Sequence, residues 1–460
     1  MTPPLTALYR RFYETYSKRY GPNTCILLLV GKFYELYDIL DPQGNPFTSM
    51  RRAIERMNIA LKERPDYGPK GETGLWGGIP EQSLHKYAAP LTADGWTVVV
   101  VDQVKDRSDQ VVDRIPARIL SPGTHVEMAG QDRLSVAGVW IQDGYAASVL
   151  DLMTGEVFSY QSSQADDILH MFQVYCVKEV VAVADACATD GAADESSLKA
   201  AFGLRNGVLH LRQAAATNFA QPFAREEYLR KMFRLKTMLS VRVALGLPPD
   251  GSSAEEKSLI TLLQFVEDHF PQHADRLTSH VAYCPSEHMR LSNNIVEQLS
   301  IITTNGQRSV LSLLERTHSA IGRRAMRERI LCPITVAAEL EARWAQVEHA
   351  KALPTEQRRV CERDIKALYD LPRLHYKLAE GAIESIDILQ AFQTYSATFC
   401  LLQNLRDSPL ACDEDLEESI REFRRQANML FDECKAKDRQ EGLPVGFLTS
   451  MSGPRTEAVE

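Results

Sequence analysis

The 460 residues predict an α/β protein that becomes all-helical past its midpoint. Three observations carry that expectation. "TCILLLV" (24–30) and "WTVVVVDQV" (96–104) are unbroken apolar runs, the mark of strands buried on both faces. Around Asp143-Gly144 two further strand-like runs flank a hairpin signal. Beyond about residue 226 the apolar period shifts to that of helices.

The elements follow in order. Leu5, Leu8, Tyr9, Phe12, Tyr13 and Tyr16 recur at helical spacing over 4–20. The strand at 24–30 hands over to "GKFYELYD" (31–38). Thr48 or Ser49 is placed to cap a helix with Met50, Ala53, Ile54, Met57 and Leu61 on its apolar face. "GPKGETGLWGG" (68–78) reads as a glycine-rich loop, 81–94 as a helix and "ARILSPGT" (117–124) as a short strand stopped by Pro122 and Gly123. These make an α/β domain over 1–125. A second α/β domain spans 126–225, with strands about Gly144 and Gly155, a helix in "ADDILHMFQVYCV" and a strand in "KEVVAVAD". A helical domain is expected over 226–436, including one helix across 307–331, and a polar tail over 437–460.

Composition narrows the function classes. The apolar share is 44% and the charged share 25%, the ordinary globular range. No run approaches 18 apolar residues, so no membrane span is expected. Nine scattered cysteines without a CxxC fit reduced thiols in an intracellular setting, whether nucleus, organelle or virion. Net charge is −9, but residues 1–125 hold 16 Lys and Arg against 14 Asp and Glu, while the rest hold 36 against 47. A near-neutral head on an acidic body suits a head that approaches phosphates.

The order of motifs resembles the MutS mismatch-repair family. "GKFYELYD", "GGIPEQSLHKYAAPLTADGWTVVVVDQV" (77–104) and "RILSPGT" (118–124) are similar to its mismatch-binding domain. "HMRLSNNIVEQLSII" (288–302) and "SVLSLLERTHSAIGRRAMRERILCPIT" (309–335) are similar to its lever helices, at Asn294, Thr317, Gly322, Arg323, Arg327 and Pro333. The stretch 16–38 is more like the divergent homologues of large DNA viruses and some organelles than the bacterial enzymes. The resemblance implies a mixed α/β mismatch-binding domain, an RNase-H-like α/β connector and a helical lever or core domain.

It also implies a site. The family's Phe-x-Glu motif falls on Phe33 and Glu35, the ring stacking on an unpaired base and the carboxylate accepting a hydrogen bond from it. An aromatic wedge kinks a duplex most cheaply where pairing is already poor. Lys32 stands where many family members carry an acid. Arg51 and Arg52, with Arg56 nearby, start a helix and are candidates for phosphate contact. A solvated helix face is the bland reading of these arginines, and strand-end packing that of Phe33 and Tyr37, with Glu35 exposed. Asp151 and Glu156 are too few for a metal cluster, and His288 and His318 read as packing or surface residues.

No catalytic residue, metal or cofactor is expected. The sequence holds no G-x-x-x-x-G-K-[ST], so no phosphate-cradling loop and no ATPase activity is expected. Against the family pattern, the clamp, the returning lever helices and the ATPase are expected to be missing. Duplex DNA is the expected partner, with a second protein chain covering the lever helices. The alternative is a MutS-derived scaffold subunit of an organellar ribosome, a virion or a repair complex.

Overall fold

The computed structural model describes residues 5–430, apart from 41–42, 44, 65–72, 107–109, 126–132, 185–194, 205–206, 214–220, 237–239, 248–252, 270–273, 275, 284–287, 290, 292, 303–307, 380–382, 384 and 412–413. The expected tail at 437–460 lies outside the described residues. The chain divides into two compact units, 1–283 and 284–460.

The first unit begins with helix α1 (Leu5–Tyr20), which buries Leu8, Tyr9 and Phe12. Strand β1 (Thr24–Val30) is buried along nearly all its length, which explains its unbroken apolar run. Gly31 and Lys32 alone join it to β2 (Phe33–Leu40), with Val30 facing Phe33. Gly31 takes φ 63°, a left-handed value that a tight hairpin can require of its first loop residue and that glycine adopts freely. Helix α2 (Met50–Met57), β3 (Lys62–Arg64), β4 (Thr73–Pro80), α3 (Leu84–Ala93), β5 (Thr97–Lys105) and β6 (Val111–Leu120) follow.

The six strands form one sheet in the order β3-β4-β2-β1-β5-β6. Only β1 and β5 pair in parallel. Helix α1 covers one face, where Tyr9 meets Tyr37 edge to face at 5.8 Å. Helix α2 covers the other, where Ile54 lies over Gly77, the partner of Leu36. A Cβ at Gly77 would fall 2.5 Å from Ile54 Cδ1. The glycine-rich stretch expected as a loop is therefore strand from Thr73 onward, and its glycine serves close helix approach rather than a turn.

A second sheet completes this unit. Its elements are β7 (Ser135–Ile141), β8 (Tyr145–Asp151), β9 (Glu156–Ser162), α4 (Ala165–Val174), β10 (Val177–Ala184), α5 (Glu195–Ala201), β11 (Val208–Gln213), α6 (Pro222–Met232), α7 (Val241–Ala244), α8 (Ser253–His269) and β12 (Ser279–Ala282). The order is β11-β10-β7-β8-β9-β12. Strands β7, β8 and β9 are antiparallel neighbours, while β10, β11 and β12 add in parallel.

The expected end of the α/β part near 225 is corrected here. Strand β12 pairs with β9, and α8 lies on β7 and β8. A Cβ at Gly138 would fall 2.6 Å from the Ser258 carbonyl oxygen. The second α/β layer thus runs to Ala282: α8, expected as a lever helix, and β12, in a stretch where no strand was expected, both belong to it. A four-residue strand has too little alternation to show in sequence, and an apolar helix stripe does not say which layer it serves.

Among its described residues, the second unit is helical: α9 (Asn293–Gln298), α10 (Val310–Leu314), α11 (Ala320–Leu331), α12 (Ala337–Ala352), α13 (Thr355–Lys366), α14 (Leu371–Ala379), α15 (Ser385–Leu405) and α16 (Glu414–Leu430). The single helix expected over 307–331 is two. The chain leaves the helix after α10, and Ser319 restarts it by accepting from the Gly322 N–H at 3.1 Å. His288 pairs with Ile334 in an isolated bridge. Arg324 forks onto the Asp370 carboxylate with two bonds of 2.7 Å.

Candidate nucleic-acid interface

The alternation of β2 splits the motif between two faces. Tyr34, Leu36 and Asp38 point one way, Phe33, Glu35 and Tyr37 the other. Tyr34 is core: its hydroxyl donates to Asp102 at 2.8 Å and accepts from Arg118 at 3.3 Å. Burial, then the Asp102 carboxylate, pushes its pKa well up. Asp38 is also structural. Its Oδ1 accepts from the Ile39, Phe47 and Thr48 amides at 2.8, 3.1 and 3.0 Å and so shapes the approach to α2.

Phe33 is 48% exposed. It opens β2 at the hairpin, opposite the exposed Pro80, with exposed Lys32 beside it. Nearby, Gln103 and Arg114, paired across β5 and β6, both donate to the Leu29 carbonyl, at 3.0 and 3.2 Å. Those bonds anchor the strand end that carries the hairpin. Glu35, half-buried, lies opposite Gly78, and a Cβ there would sit 3.6 Å from Glu35 Cγ. The Tyr37 hydroxyl donates to Glu35 Oε2. The result is an exposed ring and a held carboxylate on one face of one strand.

Arg51 and Arg52 are not brought to this site. Ser49 donates to the Thr24 carbonyl, which sets the start of α2 at the far end of β1 from Phe33. Seven strand residues separate the two ends, roughly 20 Å. The Arg52 guanidinium donates to the Pro22 carbonyl at 2.9 Å and to Asn23 at 3.3 Å, and lies 5.1 Å over Trp96. Arg51 is exposed on α2, and Arg56 pairs with Asp94 at 3.0 Å.

The third motif of the head has a different task. The Ser121 hydroxyl donates to Glu179 in β10, and His210 Nε2 lies 2.8 Å from the other oxygen of that carboxylate. Gly123 lies against Glu179 so closely that a Cβ would be 2.6 Å from the glutamate Cβ. The "SPGT" turn therefore clamps the first sheet's last strand to the second sheet. Asp151 stands 3.5 Å from Arg133 and accepts from the Met153 amide at 2.9 Å, a structural pairing. No group of three or more metal-binding side chains occurs among the described residues.

Two family profiles match the chain. MutS domain I matches residues 8–129, which hold the whole first sheet and its hairpin, and MutS domain III matches residues 294–444. The chain belongs to the MutS family. The DNA mismatch repair protein MutS of Thermotoga neapolitana is 24% identical over 353 residues, covering 76% of this chain and 39% of that protein. That of Desulfatibacillum aliphaticivorans is 23% identical over 432 residues, covering 91% and 45%. A putative mismatch repair protein MutS homologue of Acanthamoeba polyphaga mimivirus is 22% identical over 448 residues, covering 86% and 39%. The MutS chain described here thus spans less than half the length of these relatives.

Tyr37, which the motif offered only as a strand-end core residue, is the residue of this face whose polar contact sequence reasoning missed. Its signal was present, since residues two apart on a strand share a face. Period two cannot, however, distinguish a buried tyrosine whose hydroxyl meets a carboxylate from one that merely fills the core.

Proposed function

We propose that this chain binds duplex DNA and recognises mismatched or distorted steps through Phe33 and Glu35. The observation that carries the reading is a half-exposed phenylalanine at the tip of a two-residue hairpin, beside a carboxylate held by a tyrosine hydroxyl. A ring so placed can enter a base step. Unstacking costs a few kcal/mol, least where pairing is already broken, and stacking on the ring returns about 1–3 kcal/mol per base. The carboxylate repels phosphates and gains only from a base N–H, which supplies discrimination. Lys32 is the cation placed to meet a nearby phosphate, and Arg51 and Arg52 serve phosphates only on another part of the head.

The first sheet is read as the mismatch-binding domain, the second as the RNase-H-like connector and the helical unit as the lever or core. No residue is assigned a catalytic task, because the 460 residues hold no phosphate-cradling loop. The setting is a DNA-bearing compartment inside a cell or virion. Among the described residues no helix is long and apolar enough to cross a membrane. The test is a titration of the full chain on a duplex with one mismatch and on its perfectly paired counterpart. Tighter binding to the mismatched duplex is expected, and equal affinity overturns the reading.

A second reading is favoured by the helical unit. Helix α12 buries none of its residues, and Trp344 is 62% exposed. Val347, Leu378 and Phe423 in the same unit are exposed too. Trp344 and Val347, three apart on α12, share one exposed helix face, the kind of apolar surface a partner covers. On this reading another protein chain covers the unit, and the chain serves as a subunit of a larger assembly. A monomeric chain that binds no hydrophobic dye would count against it.

A further inference from the structure

We propose that Tyr37 is a positioning residue for base recognition: its hydroxyl holds Glu35 Oε2 and leaves Oε1 to accept from a base N–H. The inference rests on the DNA reading above and deepens it. Tyr37 is 1% exposed, and its ring packs edge to face on Tyr9 at 5.8 Å. A phenylalanine would fill the same space, so packing does not account for the hydroxyl. That hydroxyl reaches Glu35, two residues back on the same face of β2.

The chemistry of the pair is one-directional. The phenol donates and the carboxylate accepts. An ionised carboxylate is acceptor-only, so it can meet a base only through an N–H donor. A free glutamate has three side-chain torsions to order before it can contact a base. Held at one oxygen, it meets the ligand with part of that ordering already done. Across the strand pair, Gly78 adds no side chain beside the carboxylate.

The test is a double-mutant cycle on the full chain. Tyr37→Phe, Glu35→Ala, the double variant and Phe33→Ala are each titrated on a short duplex with one unpaired thymine and on the perfect duplex. Tyr37→Phe is expected to reduce the preference for the unpaired thymine about three- to tenfold, the range of one hydrogen bond, and to leave perfect-duplex affinity unchanged. In the Glu35→Ala background the same change is expected to do nothing. Thermal melts confirm that each variant is folded. If Tyr37→Phe weakens both duplexes equally, or still acts without Glu35, its role is packing and the inference fails. If it keeps the full preference while Phe33→Ala loses it, the inference fails and the DNA reading stands. If Phe33→Ala also changes nothing, both fall.

Discussion

Ser121 and Glu179, 58 residues apart, meet hydroxyl to carboxylate between two sheets. The turn that brings Ser121 there has Gly123 at its contact point, against a glutamate only 2% exposed. Gly123→Ala should therefore overpack the junction. The added carbon would stand 2.6 Å from Glu179 Cβ, an atom with no freedom to swing aside. A loss of about 1–3 kcal/mol is expected by denaturant titration. An unchanged midpoint would show that the turn yields.

Asp38 should matter to stability rather than to ligand binding. Its Oδ1 accepts three amide bonds, two of them from the segment leading into α2. Asp38→Ala leaves those donors without their acceptor and is expected to cost about 2 kcal/mol or more. Asp38→Asn keeps one oxygen and should cost less. Equal losses in the two variants would show that the amide bonds are not the cause.

A buried histidine sets a pH dependence. His269 stacks on Phe265 at 4.0 Å and donates Nδ1–H to the Phe265 carbonyl at 2.6 Å. Burial, then the Arg19 cation, pushes its pKa down from 6.5 to about 3. Below pH 6.5 the unfolded chain binds a proton that the folded chain refuses. This contribution to stability is whole above that pH and is lost as pH falls toward 3. Between pH 7 and pH 5 the loss should be about 2 kcal/mol. Urea titrations of His269→Leu at both pH values should show a shallower fall than wild type. An identical fall would assign the acid sensitivity to other groups.

Phe33→Ala separates wedge from core. The ring is 48% exposed, so its loss should barely move the melting temperature. Binding to a mismatched duplex should weaken by about 1–3 kcal/mol, with a smaller change on perfect duplex. A lowered melting temperature with unchanged DNA binding would make Phe33 a packing residue.

Some of this was legible from local pattern alone. The runs at 24–30 and 97–101 are strands because unbroken β-branched and aliphatic residues are stable only where both faces are covered. Phe33 and Glu35 share a face because a strand has period two, and Gly31 tightens the hairpin before them. The order of motifs was enough to point to the family. Only the tertiary structure decided what depends on contacts between distant segments. It assigned α8 and β12 to the second sheet, because an amphipathic helix records that it packs but not on what. It turned Arg52 toward Pro22 and Asn23, away from Phe33, because the start of α2 is tied to Thr24. It also gave Tyr37 its partner, because a hydroxyl's acceptor is chosen by where the folded chain leaves a carboxylate within reach.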